Sequence, residues 1–247
     1  YVVNGTKTWT SLGQHADWIF CLVRTDDSGR KQQGITFLCF EMSTPGVTLH
    51  PIIGIDGSHS LNTVEFHDVR VPVANRIGEE GQAWGYSKYL LANERTSYAH
   101  IGGKRIALER LREAVTTMGP GSTSLLDDPL FAARLAQVEI NFRALEVTVL
   151  RALSSLSAGE APGAESSAIK ILATENSQAI TELYIEAAGH YGVSWQPDHD
   201  APPWTSSEMR NFGAISIRRY LATRAESIYG GTNEIQRNVI SRMVLGL

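Results

Sequence analysis

A change of hydrophobic period near residue 78 constrains the fold of this chain more than any other feature. Before it, β-branched and aromatic residues come in short runs separated by turn signals such as Asn4-Gly5 and Pro45-Gly46, which is typical of strands. From Glu79 onward, apolar residues recur every three or four positions, which is typical of helices. We therefore predict an α+β protein. A small antiparallel β-sheet or β-barrel domain, residues 1–77, precedes an up-down helical bundle domain, residues 78–247.

Strands and helices can be assigned within these two domains. The predicted strands are Tyr1–Val3, Lys7–Ser11, Trp18–Arg24, Gly34–Glu41, Val47–Ile53 and Asn62–Val71. In the last of them, Val64 and Phe66 share one face of the strand. The predicted helices run from Gln82 to Met118, from Asp128-Pro129 to about Leu156, from about Ile169 to Gly189 or Gly192, from about Ser206, and from Thr232. Asp128 can cap the second helix, and Pro129 suits its first turn.

The charge balance argues against several classes of partner. Lys and Arg total 22 against 26 Asp and Glu, with both signs scattered, so neither nucleic acid nor an anionic membrane surface is expected to bind. No apolar run approaches the ~20 residues that span a bilayer. Cys21 and Cys39 lie in apolar runs and are interpreted as buried thiols in a reducing compartment, with a disulfide left open. Pro197–Asp200 is interpreted as a solvated turn, so no metal site is predicted.

A Gly-Gly pair interrupts the helical half just before its last helix. Gly230 and Gly231 have no Cβ, so the backbone can turn sharply there and approach a ligand closely. Thr232 or Asn233 can then cap the helix that follows. The alternative is an ordinary pair of helix caps that binds nothing.

A carboxylate lies within the apolar stripe of the first long predicted helix. At 100° per residue, Glu94 points in nearly the same direction as five apolar residues. These are Leu90, Leu91, Tyr98, Ile101 and Leu108. Burial there would raise the pKa of Glu94 and favour a role as a proton acceptor. The alternative is a structural ion pair with Arg95 or Arg105.

The second candidate for a ligand contact is Lys7–Gly13. On a regular strand, Trp9 and Ser11 point to the same face and present a flat apolar ring beside a hydroxyl group. Such a surface suits a planar heteroaromatic ligand. The alternative is a core tryptophan beside a serine that is satisfied within the protein.

Together these stretches resemble the acyl-CoA dehydrogenase family. The resemblance rests on Asn4–Ser11 (like NGxKxWIT), Val64–Pro72 (like VxFxDVxVP), the pair Glu94-Arg95, and Ile228–Arg237 (like IYEGTxxIQR). It covers nearly the whole chain and places the strand domain before the helical domain, as in that family. It implies FAD as cofactor and α,β-dehydrogenation of an acyl-CoA thioester, in fatty acid or sterol degradation. It also implies that the family's N-terminal helical domain is absent from this chain and would precede Tyr1.

The resemblance assigns roles to individual residues. Trp9 would lie against the isoalloxazine ring, and Ser11 would hydrogen-bond near its N5 and O4 edge, with Thr10 beside them. The Gly230 N–H would bind the thioester carbonyl oxygen together with a ribityl hydroxyl and so stabilise an enolate-like transition state. The remaining implied contacts are Thr232 and Gln236 on the cofactor, and Arg95, Tyr229 and Gly231 on the substrate.

One departure from the family pattern concerns the catalytic base. Many members carry the base as the Glu of YEGT, and this chain has Gly230 at that place. A minority carry it on the first long bundle helix, in an ER pair that Glu94-Arg95 matches. The resemblance therefore implies that Glu94 removes the α-proton while the β-hydride passes to flavin N5.

A second departure concerns the far end of the cofactor. The family motifs RxxxFG and QxxGGxGY, which reach the FAD of a neighbouring subunit, are replaced here by Gly119–Ser124 and by Ile185–Gly192. We therefore expect a related but non-identical subunit in an α2β2 assembly, with a homotetramer as the alternative. The resemblance also implies an electron-transfer flavoprotein as electron acceptor, and a location in the bacterial cytoplasm or the mitochondrial matrix.

Two other functions stay open on the sequence. One is a non-catalytic structural partner subunit that kept the fold and lost the chemistry, since Gly230 replaces the usual base. The other is an oxygen-using flavin oxidase or monooxygenase of the same fold.

Overall fold

The computed structural model describes residues 1–94, 99–117, 124–160, 163–193 and 207–247. The chain forms two compact units, Tyr1–Ala92 and Asn93–Leu247. Each unit is described by itself below. The predicted division between residues 77 and 78 stays a prediction.

The first unit contains two three-stranded antiparallel sheets. The strands are β1 (Val2–Ser11), β2 (Trp18–Arg24), β3 (Ile35–Glu41), β4 (Val47–Ile52), β5 (Leu61–Arg70) and β6 (Arg76–Ile77). One sheet has the order β1-β5-β4 and the other β2-β3-β6. β1 joins two runs that were predicted separately, and β6, with only two residues, was not predicted.

A shared core fills the first unit. On β5, Val64 and Phe66 are buried, whereas Glu65 between them is exposed, so the predicted alternation of this strand is confirmed. The rings of Phe66 and Phe40, a residue of β3, meet edge to face with centroids 5.7 Å apart. The buried cluster comprises Val3, Ile19, Cys21, Leu38, Phe40, Val64, Phe66, Val69 and Val71. This core fixes the strand ends that carry the candidate ligand contacts.

In the described part of the chain, six α-helices follow the strands. They are α1 (Ala83–Glu94), α2 (Ile101–Thr117), α3 (Pro129–Ser157), α4 (Glu165–Ala188), α5 (Ser207–Thr223) and α6 (Asn233–Ile240). The cap predicted for α3 is confirmed, since the Asp128 side chain accepts a hydrogen bond from the backbone N–H of Leu130. The end of α4 before Gly189 and the start of α6 also agree with the prediction. None of the helices in the described ranges combines the length and apolar composition that a bilayer crossing requires.

The long helix predicted from Gln82 to Met118 is wrong. The structure has two helices, α1 and α2, and His100, immediately before α2, has φ 42°, a left-handed conformation that a continuous helix does not contain. Glu94 and Leu108 would share one helical face only if a single continuous helix contained both residues, so this part of the predicted apolar stripe is also wrong. Local periodicity missed the break because histidine is neither glycine nor proline.

The helices of the second unit pack around an apolar centre. Residues of α2, α3 and α4 form the main cluster, in which Leu111, Leu135 and Leu183 are almost fully buried. On α3, apolar residues spaced three or four positions apart are buried from Phe131 to Val149, whereas Leu153 is 45% exposed. This packing holds α4 in place, and α4 in turn contacts the start of α6.

Candidate active site

The segment predicted to face a planar ligand lies at an irregularity of β1. Pairing with β5 is regular from Gly5 to Lys7 and resumes at Thr10, with two residues of β1 opposite one residue of β5, and an earlier register shift lies between Val3 and Gly5. Within this bulge Trp9 has φ 69°, a left-handed backbone that costs a non-glycine residue about 1–2 kcal/mol. The premise that a regular strand places Trp9 and Ser11 on the same face is therefore wrong, because the bulge decides where each side chain points.

The Trp9 side chain is 67% exposed, so the alternative of a core tryptophan is also wrong. Thr10 is half-buried and Ser11 is exposed. Strained backbone that holds a large apolar ring in solvent is typical of ligand-binding positions. The ring can stack on a planar ligand, and the two hydroxyl groups beside it can hydrogen-bond to that ligand's edge.

Asn62 anchors this irregular segment, and the sequence analysis did not identify it. Its side chain is fully buried, and its Nδ2 donates to the Thr10 carbonyl at 3.2 Å and to Gln14 Oε1 at 2.7 Å. The His59 ring lies 2.8 Å from the Asn62 Oδ1. Asn62 lies on the same face of β5 as the buried Val64 and Phe66, and a polar residue on such a face is a signal that was available in the sequence.

The second cluster of candidate residues surrounds the Gly-Gly pair. Gly230 has φ 65° and Gly231 has φ 85°, so both adopt the left-handed conformation that favours glycine. A Cβ on Gly231 would lie 2.5 Å from the Gln236 Nε2. The backbone conformation therefore favours glycine at position 231, and a Cβ there would displace the end of the Gln236 side chain.

The start of α6 completes this turn. Thr232 is the N-cap, and its Oγ1 accepts a hydrogen bond from the Ile235 N–H at 3.2 Å. Gln236 is only 2% exposed and lies beneath the turn, where its Nε2 donates to the carbonyls of Gly230 and Gly231 at 3.3 and 3.4 Å. Its Oε1 is buried and has no hydrogen-bond partner among the described residues. A donor supplied by a ligand would satisfy it.

Two residues of α4 hold α6, and the sequence analysis did not identify them. Lys170 is fully buried, and its Nζ donates to the Asn233 Oδ1 and to the Glu226 carbonyl, both at 2.9 Å. Thr174, one turn further along α4, accepts a hydrogen bond from the Asn233 Nδ2 at 3.1 Å. The sequence signal was a lysine between Ile169 and Ile171, which periodicity treats as an interruption of the apolar pattern.

Burial and hydrogen bonding shift the pKa values of two charged groups at this turn. Desolvation lowers the pKa of Lys170, and the nearby carboxylates of Glu234 and Glu226 oppose that shift. Hydrogen bonds from its own backbone N–H and from the Thr232 side chain lower the pKa of Glu234, as expected at a helix N-terminus. The turn therefore combines a helix N-terminus with a buried ammonium group, an environment that favours a partial negative charge on a ligand.

Some predicted site residues lie outside the described part of the chain. α1 ends at Glu94, but the Glu94 side chain and all of Arg95 are outside it, as are most of Gly119–Ser124 and all of Pro197–Asp200. The structure brings Gly230, Gly231, Thr232 and Gln236 together in the second unit, with Tyr229 50% exposed beside them. It places Trp9, Thr10 and Ser11 together in the first unit.

Comparison with known protein families assigns both units. The model of the acyl-CoA dehydrogenase middle domain matches residues 1–69, and the model of the acyl-CoA dehydrogenase C-terminal domain matches residues 81–245. The chain therefore belongs to the acyl-CoA dehydrogenase family, and the predicted family and fold class are confirmed.

Individual relatives match over the whole chain. Acyl-CoA dehydrogenase IpdE1 of Mycobacterium tuberculosis is 32% identical over 247 residues, which are 100% of this chain and 60% of the relative. Acyl-CoA dehydrogenase FadE26 of the same organism is 34% identical and is covered to 61%. The crystal structure of the ChsE4-ChsE5 complex from that organism superposes with a TM-score of 0.82 at 33% identity, covering 100% of this chain and 61% of the other. The chain thus spans about three fifths of the length of these relatives.

FAD, the predicted cofactor, is the cofactor of this family, and the residues present fit it. Trp9 offers an exposed ring for a planar heterocycle, and the Gln236 Oε1 offers a buried acceptor for a hydroxyl group. Trp9 belongs to the motif Asn4–Ser11 and Gln236 to the motif Ile228–Arg237, both of which resemble motifs of the family.

Proposed function

We propose that the protein is an FAD-dependent dehydrogenase that introduces a double bond between the α and β carbons of an acyl-CoA thioester. The observation that carries this proposal is the left-handed Gly230-Gly231 turn at the start of α6, with the Gln236 amide beneath it. Backbone N–H groups at a helix N-terminus stabilise developing negative charge. That is the requirement for removing a proton next to a thioester carbonyl.

The proposed division of roles follows from Gly230. Because glycine stands where many family members carry the base, Glu94 is assigned as the base, and the Gly230 N–H is assigned to the thioester oxygen. When bound, FAD accepts the hydride that leaves the β-carbon. Stabilising the oxygen lowers the pKa of the α-proton, so Glu94 can remove that proton near neutral pH.

The other predicted residues bind and orient. Trp9, Thr10 and Ser11 are proposed to lie along the flavin ring, and Thr232 to hydrogen-bond the cofactor. The Thr232 oxygen is already the acceptor of the helix cap, and its hydroxyl group also hydrogen-bonds the Glu234 carboxylate, so a contact with the cofactor would replace the bond to Glu234. Gln236 is proposed to bind through its buried Oε1. Arg95, Tyr229 and Gly231 are proposed to contact the acyl-CoA.

We further propose that a related, non-identical subunit completes each cofactor site. In support, the stretch that replaces QxxGGxGY ends α4 at Ala188 and continues as a 3-10 turn over Gly189–Gly192. The similar ChsE4-ChsE5 structure is a complex of two differently named chains. An α2β2 assembly is therefore favoured over a homotetramer, with an electron-transfer flavoprotein as acceptor. Cys21 and Cys39 are free thiols, which suits the cytoplasm of a bacterium or, in a eukaryote, the mitochondrial matrix.

The decisive variant is Glu94→Gln in the full-length protein. We expect flavin to stay bound and the exchange of the substrate α-proton with solvent to be lost, because the amide cannot accept that proton. Deuterium incorporation into an acyl-CoA in D2O measures the exchange. Glu109→Gln, an exposed carboxylate of α2, is the matched control and should exchange normally. Undiminished turnover in Glu94→Gln contradicts the assignment.

The competing functions give different results with the wild-type protein. A non-catalytic partner subunit, favoured by Gly230 in place of the base, would not bleach the flavin spectrum on addition of any acyl-CoA. An oxidase or monooxygenase would be reoxidised rapidly by air after reduction. The partner proposal is tested by quantifying flavin after purification alone and with a related co-expressed subunit. Stoichiometric tight FAD in a homo-oligomer would overturn that proposal.

A further inference from the structure

The Gly230-Gly231 turn is held at both ends by one buried cation. The Lys170 Nζ donates to the Glu226 carbonyl, which precedes the turn, and to the Asn233 Oδ1, which follows it, each at 2.9 Å. We propose that Lys170 is a positioning residue that sets the conformation of this turn for cofactor and substrate binding. The consequence for binding rests on the proposed function, whereas the positioning itself can be tested without any ligand.

The geometry around Lys170 supports this role. Asn233 is the first residue of α6 and is 5% exposed, and its Nδ2 donates to the Thr174 hydroxyl at 3.1 Å. The side chains of Lys170 and Thr174 are one helical turn apart on α4, so they present one face to α6. The carbonyl of Glu226 belongs to the 3-10 turn Arg224–Ser227. Lys170 thereby closes a loop of six residues that contains both left-handed glycines.

Burial of an ammonium group argues for a specific role. A buried lysine is costly unless its protons are hydrogen-bonded, and an apolar residue of the same length would avoid that cost. α4 already packs through Ile169, Ala173 and Ile180, which are almost fully buried, so its attachment to the bundle does not depend on a charge. The two acceptors of Lys170 belong to opposite sides of one turn, and no apolar side chain can replace that connection.

A second contact between α4 and α6 shows what Lys170 adds. Arg237 pairs with Glu175 at 2.9 Å on the surface, where both side chains are about half exposed. This pair connects α6 to α4 but does not reach the residues before the turn. Among the interactions of the described residues, only the Lys170 hydrogen bonds connect Glu226, before the turn, with Asn233, after it.

The experiment is hydrogen exchange of the full-length protein, followed by mass spectrometry of peptides from 224–236, without flavin. In Lys170→Met we expect exchange of this region to be roughly ten- to hundredfold faster, as the loss of hydrogen bonds to a charged donor implies. Asn176→Ala is the matched control, because Asn176 is a buried polar residue of the same helix that donates to the Val138 carbonyl instead. It should leave the turn unchanged.

A conservative pair keeps the proposal testable if Lys170→Met does not fold. Asn233→Asp retains an acceptor for the ammonium group and should protect the turn, whereas Asn233→Ala should not. Equal exchange of the turn in Lys170→Met and Asn176→Ala, or faster exchange of all helices in parallel, overturns the positioning role.

Flavin binding provides the second measurement. If Lys170 positions the cofactor-binding turn, Lys170→Met should bind FAD roughly ten- to hundredfold more weakly than Asn176→Ala. Unchanged FAD affinity in Lys170→Met overturns the role in binding. Failure of the wild-type protein to bind FAD contradicts the proposed function, while the exchange result still decides whether Lys170 fixes the turn.

Discussion

Substitution of Gly231 by alanine tests the geometry of the candidate site most directly. Two effects add. A left-handed alanine costs about 1–2 kcal/mol relative to glycine. In addition, the new Cβ would lie 2.5 Å from the Gln236 Nε2, so that amide must move. It would then lose two hydrogen bonds to the turn, which are long at 3.3 and 3.4 Å and contribute about 0.5 kcal/mol each. The expected destabilisation is about 2–3 kcal/mol.

Gly159 provides a matched control for the backbone effect. It also has φ +85°, but a Cβ there meets nothing within 4 Å. Gly159→Ala should therefore cost only the conformational part, about 1–2 kcal/mol. The difference of about 1 kcal/mol between the two variants isolates the Gln236 contact.

Urea unfolding followed by circular dichroism measures both variants, with the shift of the midpoint read at constant slope. Flavin titration then tests the functional consequence, and only Gly231→Ala should weaken FAD binding. If the two variants are equally stable, the contact with Gln236 does not constrain the turn. If Gly231→Ala is as stable as wild type, the left-handed conformation at Gly231 is refuted.

Two further predictions concern strained or buried side chains. Trp9→Gly relieves a left-handed backbone and removes a ring that is largely exposed, so stability should rise by up to about 1–2 kcal/mol while FAD affinity falls. Trp18→Ala, which changes an exposed tryptophan on a regular strand, should keep its FAD affinity, and a folded Trp9→Gly with normal affinity would contradict the assignment. Lys104 is buried, its Nζ donates to the Ala99 carbonyl, and desolvation lowers its pKa. The unfolded chain therefore binds the Lys104 proton more tightly than the folded chain does, so the charged Lys104 lowers stability at neutral pH. This loss of stability disappears as the pH rises toward the usual lysine pKa of about 10.4, because the folded protein then holds Lys104 in its neutral form. Lys104→Met should therefore be more stable than wild type at pH 7 by about 1 kcal/mol. Thermal unfolding at several pH values should show this difference shrinking toward pH 10. A Lys104→Met variant that is less stable than wild type at pH 7 would show that the fold needs the ammonium group.

Much of the fold was predictable because local pattern and burial agree. β2 has the predicted bounds, and the caps at Asp128 and Thr232 mark the starts of α3 and α6. Where prediction was wrong, tertiary contacts overrode the local signal. His100, between α1 and α2, and Trp9, in the bulge of β1, have a left-handed backbone although neither is glycine, and Gly102-Gly103 was not interpreted as a sign of the break.

The candidate site divides in the same way. The Gly-Gly turn and its cap could be predicted, because glycine and threonine have strong local preferences. Asn62 and Lys170 could not be assigned a role, because their hydrogen-bond partners lie tens of residues away along the chain. A helical wheel that assumed a continuous helix also placed Glu94 in a stripe extending to Leu108, which the two observed helices do not support.

By itself, the sequence determined the order of strands and helices, the family, and the position of the sharp turn before the last helix. These properties follow from hydrophobic period, glycine content and short motifs, all of which act over a few neighbouring residues. Only the tertiary structure decided that Trp9 is exposed on a bulge and that Lys170 connects both sides of the turn. The physical reason is that burial and hydrogen bonding between distant segments depend on packing, which no local pattern specifies.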